Sequence, residues 1–109
     1  MRRGDLWTVS GGPDYAGKPR PVLVVQADDF DATASLMVCP LTTEMTDASL
    51  MRLPIQPGAG NGLRAPSSIM IDKVTTVPKS KLGARIGSLA PPEMTAVNRG
   101  LFIFLGLAS

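Results

Sequence analysis

Apolar and polar residues alternate over DLWTVS (residues 5–10), the two-residue period of a half-buried strand. Two denser apolar runs follow, RPVLVVQ at 20–26 and SLMVCPLTT at 35–43, each bounded by turn residues, and both predict buried strands. MRLPIQ at 51–56 predicts a weaker strand, and Pro54 suits it to a sheet edge. SSIMIDKVTTV at 67–77 is rich in β-branched residues and reads as one strand. KSKLGARIGSLA at 79–90 predicts a turn and a short strand. The segments 11–19, 27–34 and 57–66 are rich in Gly, Pro or Asp and read as connections. A helical period enters only after Pro91, where Met94, Val97, Leu101 and Leu105 fall on one face and Phe102, Ile103 and Phe104 widen it. Pro91 fits the first helical position and Glu93 complements the dipole, whereas Ala90 is a poor cap.

Composition agrees with a β-rich reading. A chain of 109 residues with 44% hydrophobic content forms one domain, 1–109, and its ten prolines and eleven glycines require many turns. No long apolar segment opens the chain, and the apolar stretch at 101–108 is too short to span a bilayer, so the expected setting is cytoplasmic. The single cysteine, Cys39, forms no intrachain disulfide and is expected in the core. Histidine is absent, which removes the usual general base, the usual zinc ligand and any Ser-His or Cys-His pair. Catalysis would fall to carboxylates, hydroxyls, Lys or Arg.

The net charge of +2 says little, but its distribution is uneven. Arg2, Arg3, Lys18 and Arg20 form one basic group and Lys73, Lys79, Lys81 and Arg85 another. They would converge on an anion or remain an ordinary solvated surface, and charge alone favours the second.

Eight residues separate the two dense strands, so an antiparallel hairpin is the simplest connection. A hairpin centred near residue 31 sets Val22 against Pro40, Val24 against Val38 and Arg20 against Thr42. Opposed Cβ atoms lie about 5 Å apart, so a guanidinium and a hydroxyl would share the open end and suit a phosphate oxygen.

RRGDLWTV, GKPRPVLVVQ and VCPLTT, followed by GLRAPSSIMIDKVTTVPKSKLGARIGSLAPPEMTAVNRGLFIFLGL, resemble the MazF/PemK family of toxin-antitoxin ribonucleases in order and spacing. The resemblance implies a mainly β, α+β fold: an SH3-like β-barrel with a C-terminal helix. It also implies a homodimer, metal-independent cleavage of single-stranded RNA without a cofactor, and a cognate antitoxin whose acidic tail blocks the RNA groove. By that resemblance Arg20 is the catalytic arginine and Thr42, first of the Thr-Thr pair, the catalytic threonine. Asp14 falls where several members carry a loop glutamate, although this loop is one residue longer between Gly17 and Arg20. Asp72 matches an acid proposed as base in the PemK/Kid branch, where an arginine stands two positions earlier; here that position is Met70, so the full assignment does not carry over. Asp14 and Asp72 are therefore acid/base or substrate-positioning candidates, each with a plain alternative: a turn residue, and a salt bridge to Lys73 or another neighbour. Lys18, Thr43, Lys73 and Lys79 are the expected RNA contacts.

Two rivals share the architecture. CcdB-type toxins bind DNA gyrase through a tryptophan-containing C-terminal tail, whereas this chain ends GLAS. A non-catalytic RNA-binding barrel would use the basic groups alone. Arg3-Gly4-Asp5 reads as the start of a strand rather than an adhesion motif, GAGNG at 58–62 as a flexible loop over the groove, and Trp7 as core; Tyr15 falls in a loop.

Overall fold

The expected hairpin forms the centre of the fold. In the computed structural model, which describes residues 1–10, 19–45 and 51–108, strands β2 (Arg20–Val24) and β3 (Ser35–Thr42) run antiparallel. Val22 faces Pro40, Leu23 faces Cys39 and Val24 faces Val38, the register expected from the sequence. β1 (Asp5–Val9) pairs with β2 on its other side, and β4 (Arg52–Ile55) pairs with β5 (Ser67–Met70) beyond β3. β6 (Thr75–Pro78) joins the N-terminal half of β3, and β7 (Leu82–Ser88) lies against β1. Among the described residues seven strands pair antiparallel, and one α-helix, α1 (Pro91–Phe104), follows them. The α+β, mainly β expectation is met, and β4 takes the edge position that Pro54 requires.

The central strands are apolar on both faces, which is why their sequences run densely instead of alternating. On one face Leu6, Leu23, Cys39, Leu41 and Ile69 pack with Val97 and Leu101 of α1. On the other Val9, Val22, Val24, Leu36 and Val38 form a second cluster, flanked by Trp7, Val77 and Leu82. Each fully buried aliphatic side chain there contributes about 2 kcal/mol. Cys39 is completely buried, and desolvation pushes its thiol up to about 12. Native protein is therefore expected to resist iodoacetamide at pH 8, with labelling by mass spectrometry appearing only in denaturant.

The run 67–77 is not one strand. Two residues of β3 lie between Val38 and Leu41, while five lie between their partners Ile69 and Thr75. The surplus coils into a 3₁₀ turn, Ile71–Lys73, which sends Ile71 into the core. β-propensity alone does not reveal this, because Ile71 and Val74 suit a strand as well as a turn. The interruption falls beside Pro40, which has no N–H to give a ladder.

A second correction concerns residues 58–62. They do not hang over a groove but are fastened to β7. Asn61 is buried, its Oδ1 accepting from the Gly58 and Leu63 amides and its Nδ2 donating to the Gln56 carbonyl. The Ser88 amide donates to the Gly60 carbonyl at 2.9 Å. Gly62 has φ +67°, and any side chain there would strike the backbone of Ile86. Since Gly87 lies opposite Leu6 and Leu82 opposite Val9, the loop sits at the end of β1 remote from Arg20.

At the start of α1 the Glu93 carboxylate accepts from the Ala90 amide, supplying the half of a capping box that Ala90 can receive. The helix closes with Gly106 at φ +77°; its amide donates to the Ile103 carbonyl and that of Leu107 to Phe102, a Schellman ending. No helix among the described residues is long and apolar enough to cross a membrane.

Candidate active site

Arg20 opens β2 opposite Val9, and its side chain is half-buried. Extending the β2–β3 register by two residues sets it across from Thr42, the last residue of β3. Thr42 in turn faces Ser68, and Ser68 faces Pro54. Pleating puts directly opposed residues on one face, so Pro54, Ser68, Thr42, Arg20 and Val9 form a row across five strands. This face is the one opposite α1. Five segments distant in sequence thus deliver one line of side chains.

The polar members of the row differ in what they can offer a ligand. The Thr42 Oγ1 accepts from the Glu44 amide at 3.1 Å, which leaves its own proton free to donate outward. Among the described residues no carboxylate pairs with Arg20, so its fork is open to an anion. Ser68 is 1% exposed, and its hydroxyl meets only the Met45 sulfur at 3.5 Å, a weak acceptor. Sequence reading had no means of finding Ser68: a serine inside a β-branched run carries no signal until β5 is known to lie beside β3.

Asp72 occupies the 3₁₀ turn, and both of its oxygens are engaged by Arg52. Nε donates to Oδ1 at 2.9 Å and Nη2 to Oδ2 at 3.1 Å, a fork-to-fork pair. That hydrogen bonding holds the Asp72 carboxyl below the usual carboxylate range and makes it a weak base. The partner is Arg52 rather than the neighbouring Lys73. Because the folded-state value is lowered, the stabilisation is complete above the ordinary aspartate value of about 3.9 and is lost as pH falls through the folded value. Asp72→Asn is expected to cost about 1 kcal/mol near neutrality, with the gap from the parent closing below about pH 4; urea melts across pH 3–7 check it.

The other expected residues divide. Thr43 is exposed one residue beyond Thr42, and Lys73 is exposed next to Asp72. Lys79 lies at the far end of β3, where its amide donates to the Ala34 carbonyl and its ammonium pairs with Asp31 at 3.3 Å. It is not part of the Arg20–Thr42 row. Asp14, Tyr15 and Lys18 lie outside the described residues. Three more basic residues serve separate partners: Arg85 pairs with Asp5 at 3.3 Å, Arg2 with Asp28 at 3.9 Å, and Arg3 donates to the Val25 carbonyl. Asp5 starts β1 buried, so Arg3-Gly4-Asp5 is a strand entrance, and Trp7 is part-buried on the second apolar cluster. Among the described residues no group of three His, Cys, Asp or Glu side chains is placed to hold a metal.

Comparison with known proteins shows what the chain as a whole is similar to. The family pattern described as PemK-like, MazF-like toxin of type II toxin-antitoxin system matches residues 2–105. A relative from Mycolicibacterium smegmatis, named a probable endoribonuclease MazF, is 55% identical over 108 residues, covering 99% of each chain. The structure of the Mycobacterium tuberculosis toxin MazF-mt6 superposes with a TM-score of 0.77 at 25% identity, covering 93% of this chain and 95% of that one. An endoribonuclease from a mycobacterial species, solved with its cognate antitoxin, shares the fold at a TM-score of 0.80 and 24% identity, covering 100% and 98%.

Proposed function

The chain belongs to the PemK-like, MazF-like toxin family, and we propose from its site that it is an endoribonuclease cutting single-stranded RNA without a metal. What supports this reading is the β2–β3 register: extended two residues beyond Val22 and Pro40, it sets the open guanidinium of Arg20 across from the Thr42 hydroxyl, whose oxygen already accepts from the Glu44 amide. RNA brings its own nucleophile. The 2′-hydroxyl gives its proton to water as its oxygen attacks the adjacent phosphorus, the bond to the 5′-oxygen breaks, and that oxygen takes a proton back to leave as a 5′-hydroxyl beside a 2′,3′-cyclic phosphate. The protein must hold attacking and leaving oxygens in line and stabilise charge on the phosphoryl oxygens. Arg20 supplies the charge and the fork, and Thr42 a second donor that fixes the phosphate's orientation.

A cognate antitoxin with an acidic tail is the natural partner of the open Arg20 guanidinium. The exposed end of α1 supports a homodimer: Phe102, Ile103, Phe104, Leu105 and Leu107 are 41–62% exposed in one continuous stretch. A cytoplasmic setting, where RNA is available, completes the reading.

The test is incubation of purified protein with mixed-sequence RNA in EDTA, followed by end mapping. Discrete cuts ending in cyclic phosphate support the proposal. Intact RNA with a folded protein overturns it and returns attention to gyrase or to RNA binding alone.

A further inference from the structure

A second guanidinium lies on the same face as the row, and nothing in the cleavage chemistry above uses it. Arg52 faces Met70, as Pro54 faces Ser68, so pleating puts Arg52 on the face of Ser68 and Thr42. It stands two strands across and two residues along from Thr42, roughly 12 Å by strand spacing and rise. That is too far to share the phosphate held by Arg20 and Thr42, and suits the next phosphates of an extended strand. Its orientation is fixed: the Asp72 carboxylate takes Nε and Nη2, and among the described residues Nη1 has no acceptor. The side chain remains 18% exposed, enough for that free arm to meet a ligand. Glu44, two residues beyond Thr42, also reinforces the charge on Arg52, which ties it to this end of the sheet.

We infer that Arg52, aimed by Asp72, is a phosphate contact for RNA flanking the cut, and that Asp72 is a positioning residue rather than the base. The inference rests on the ribonuclease reading only for the identity of the ligand. Phosphate contacts of this kind set register without reading bases. A strand-to-strand staple would need the same ion pair, so the test must separate the two roles.

The experiment uses a short 2′-fluoro RNA, of the sequence the protein selects from a random pool, which cannot be cut. One uncharged methylphosphonate linkage is placed at each position in turn, and affinity is measured for the parent, Arg52→Gln and Arg52→Lys. For the parent, a linkage outside the Arg20–Thr42 pair should weaken binding about tenfold when neutralised. In Arg52→Gln the all-phosphate RNA should bind about tenfold less well, and neutralising that linkage should add less than about threefold. Arg52→Lys keeps an ion pair with Asp72, so it retains the fold, but it lacks the outward arm and should show the same loss. A folded variant with the parent's full linkage profile overturns the inference. Parent protein that binds this RNA yet leaves natural RNA intact overturns the ribonuclease reading while the linkage profile still decides Arg52; failure to bind any RNA overturns both.

Discussion

Arg20→Ala is expected to lower single-turnover RNA cleavage by about a thousandfold while leaving the fold unchanged. The large loss follows from the position of the guanidinium, at the mouth of a rigid hairpin and opposite Thr42. Charge that develops on a phosphoryl oxygen in the transition state would lose its main fixed donor there. The small structural cost follows from the same geometry. Arg20 is the first residue of β2 and pairs with no carboxylate among the described residues, so truncation strands no buried partner. Circular dichroism and a thermal melt within a few degrees of the parent should accompany the kinetic loss. A melt-neutral variant that cuts at the parent rate would remove Arg20 from the chemistry.

Gly87→Ala should be strongly damaging to stability, by about 3 kcal/mol or more. A Cβ at this position would strike the Gly60 carbonyl oxygen and sit 2.5 Å from the Asn61 carbonyl carbon and 2.7 Å from its Cα. These are backbone atoms of a loop already fixed by three Asn61 hydrogen bonds and the Ser88–Gly60 bond, so nothing yields cheaply. At about 4–8 °C per kcal/mol for a domain of this size, Tm should fall by roughly 12 °C or more. Gly60→Ala is the matched control, because its added methyl would meet no atom within 4 Å. It should stay within about 0.5 kcal/mol of the parent. Equal melting of both variants would contradict the close approach of loop and strand.

The hairpin was legible because its information is local. Two dense runs, a short polar connection and the two-residue period determine which residues oppose one another, and Arg20 and Thr42 follow from that register. The resemblance to a known family then attached chemistry to them. Features made by non-local pairing were hidden. Nothing in MRLPIQ distinguishes Arg52 from a solvated cation until β4 is placed beside β5 and the 3₁₀ turn lifts Asp72 towards it. The same turn was invisible within 67–77, since the residue surplus that creates it is defined against β3 and not within its own segment. GAGNG looked like a free loop because glycine marks flexibility and close approach with the same letter; only the nearness of Gly87 selects the second meaning. Lys79 shows the converse case, for proximity along the sequence to other lysines groups it with Lys73, while the length of β3 separates it from Thr42.

The row across the sheet also bears on when the molecule becomes complete during synthesis. Arg20 and Thr42 come from the first hairpin, but Ser68 and its neighbour Met70 belong to β5, and Arg52 is oriented only by Asp72 beyond it. A nascent chain that has released β1 to β4 carries the two ends of the hairpin with an unpaired flank on β3, and it lacks the strand that joins them to Arg52. The full surface first exists once residues through the 3₁₀ turn have left the ribosome and docked, and the helix that covers the opposite face emerges later still.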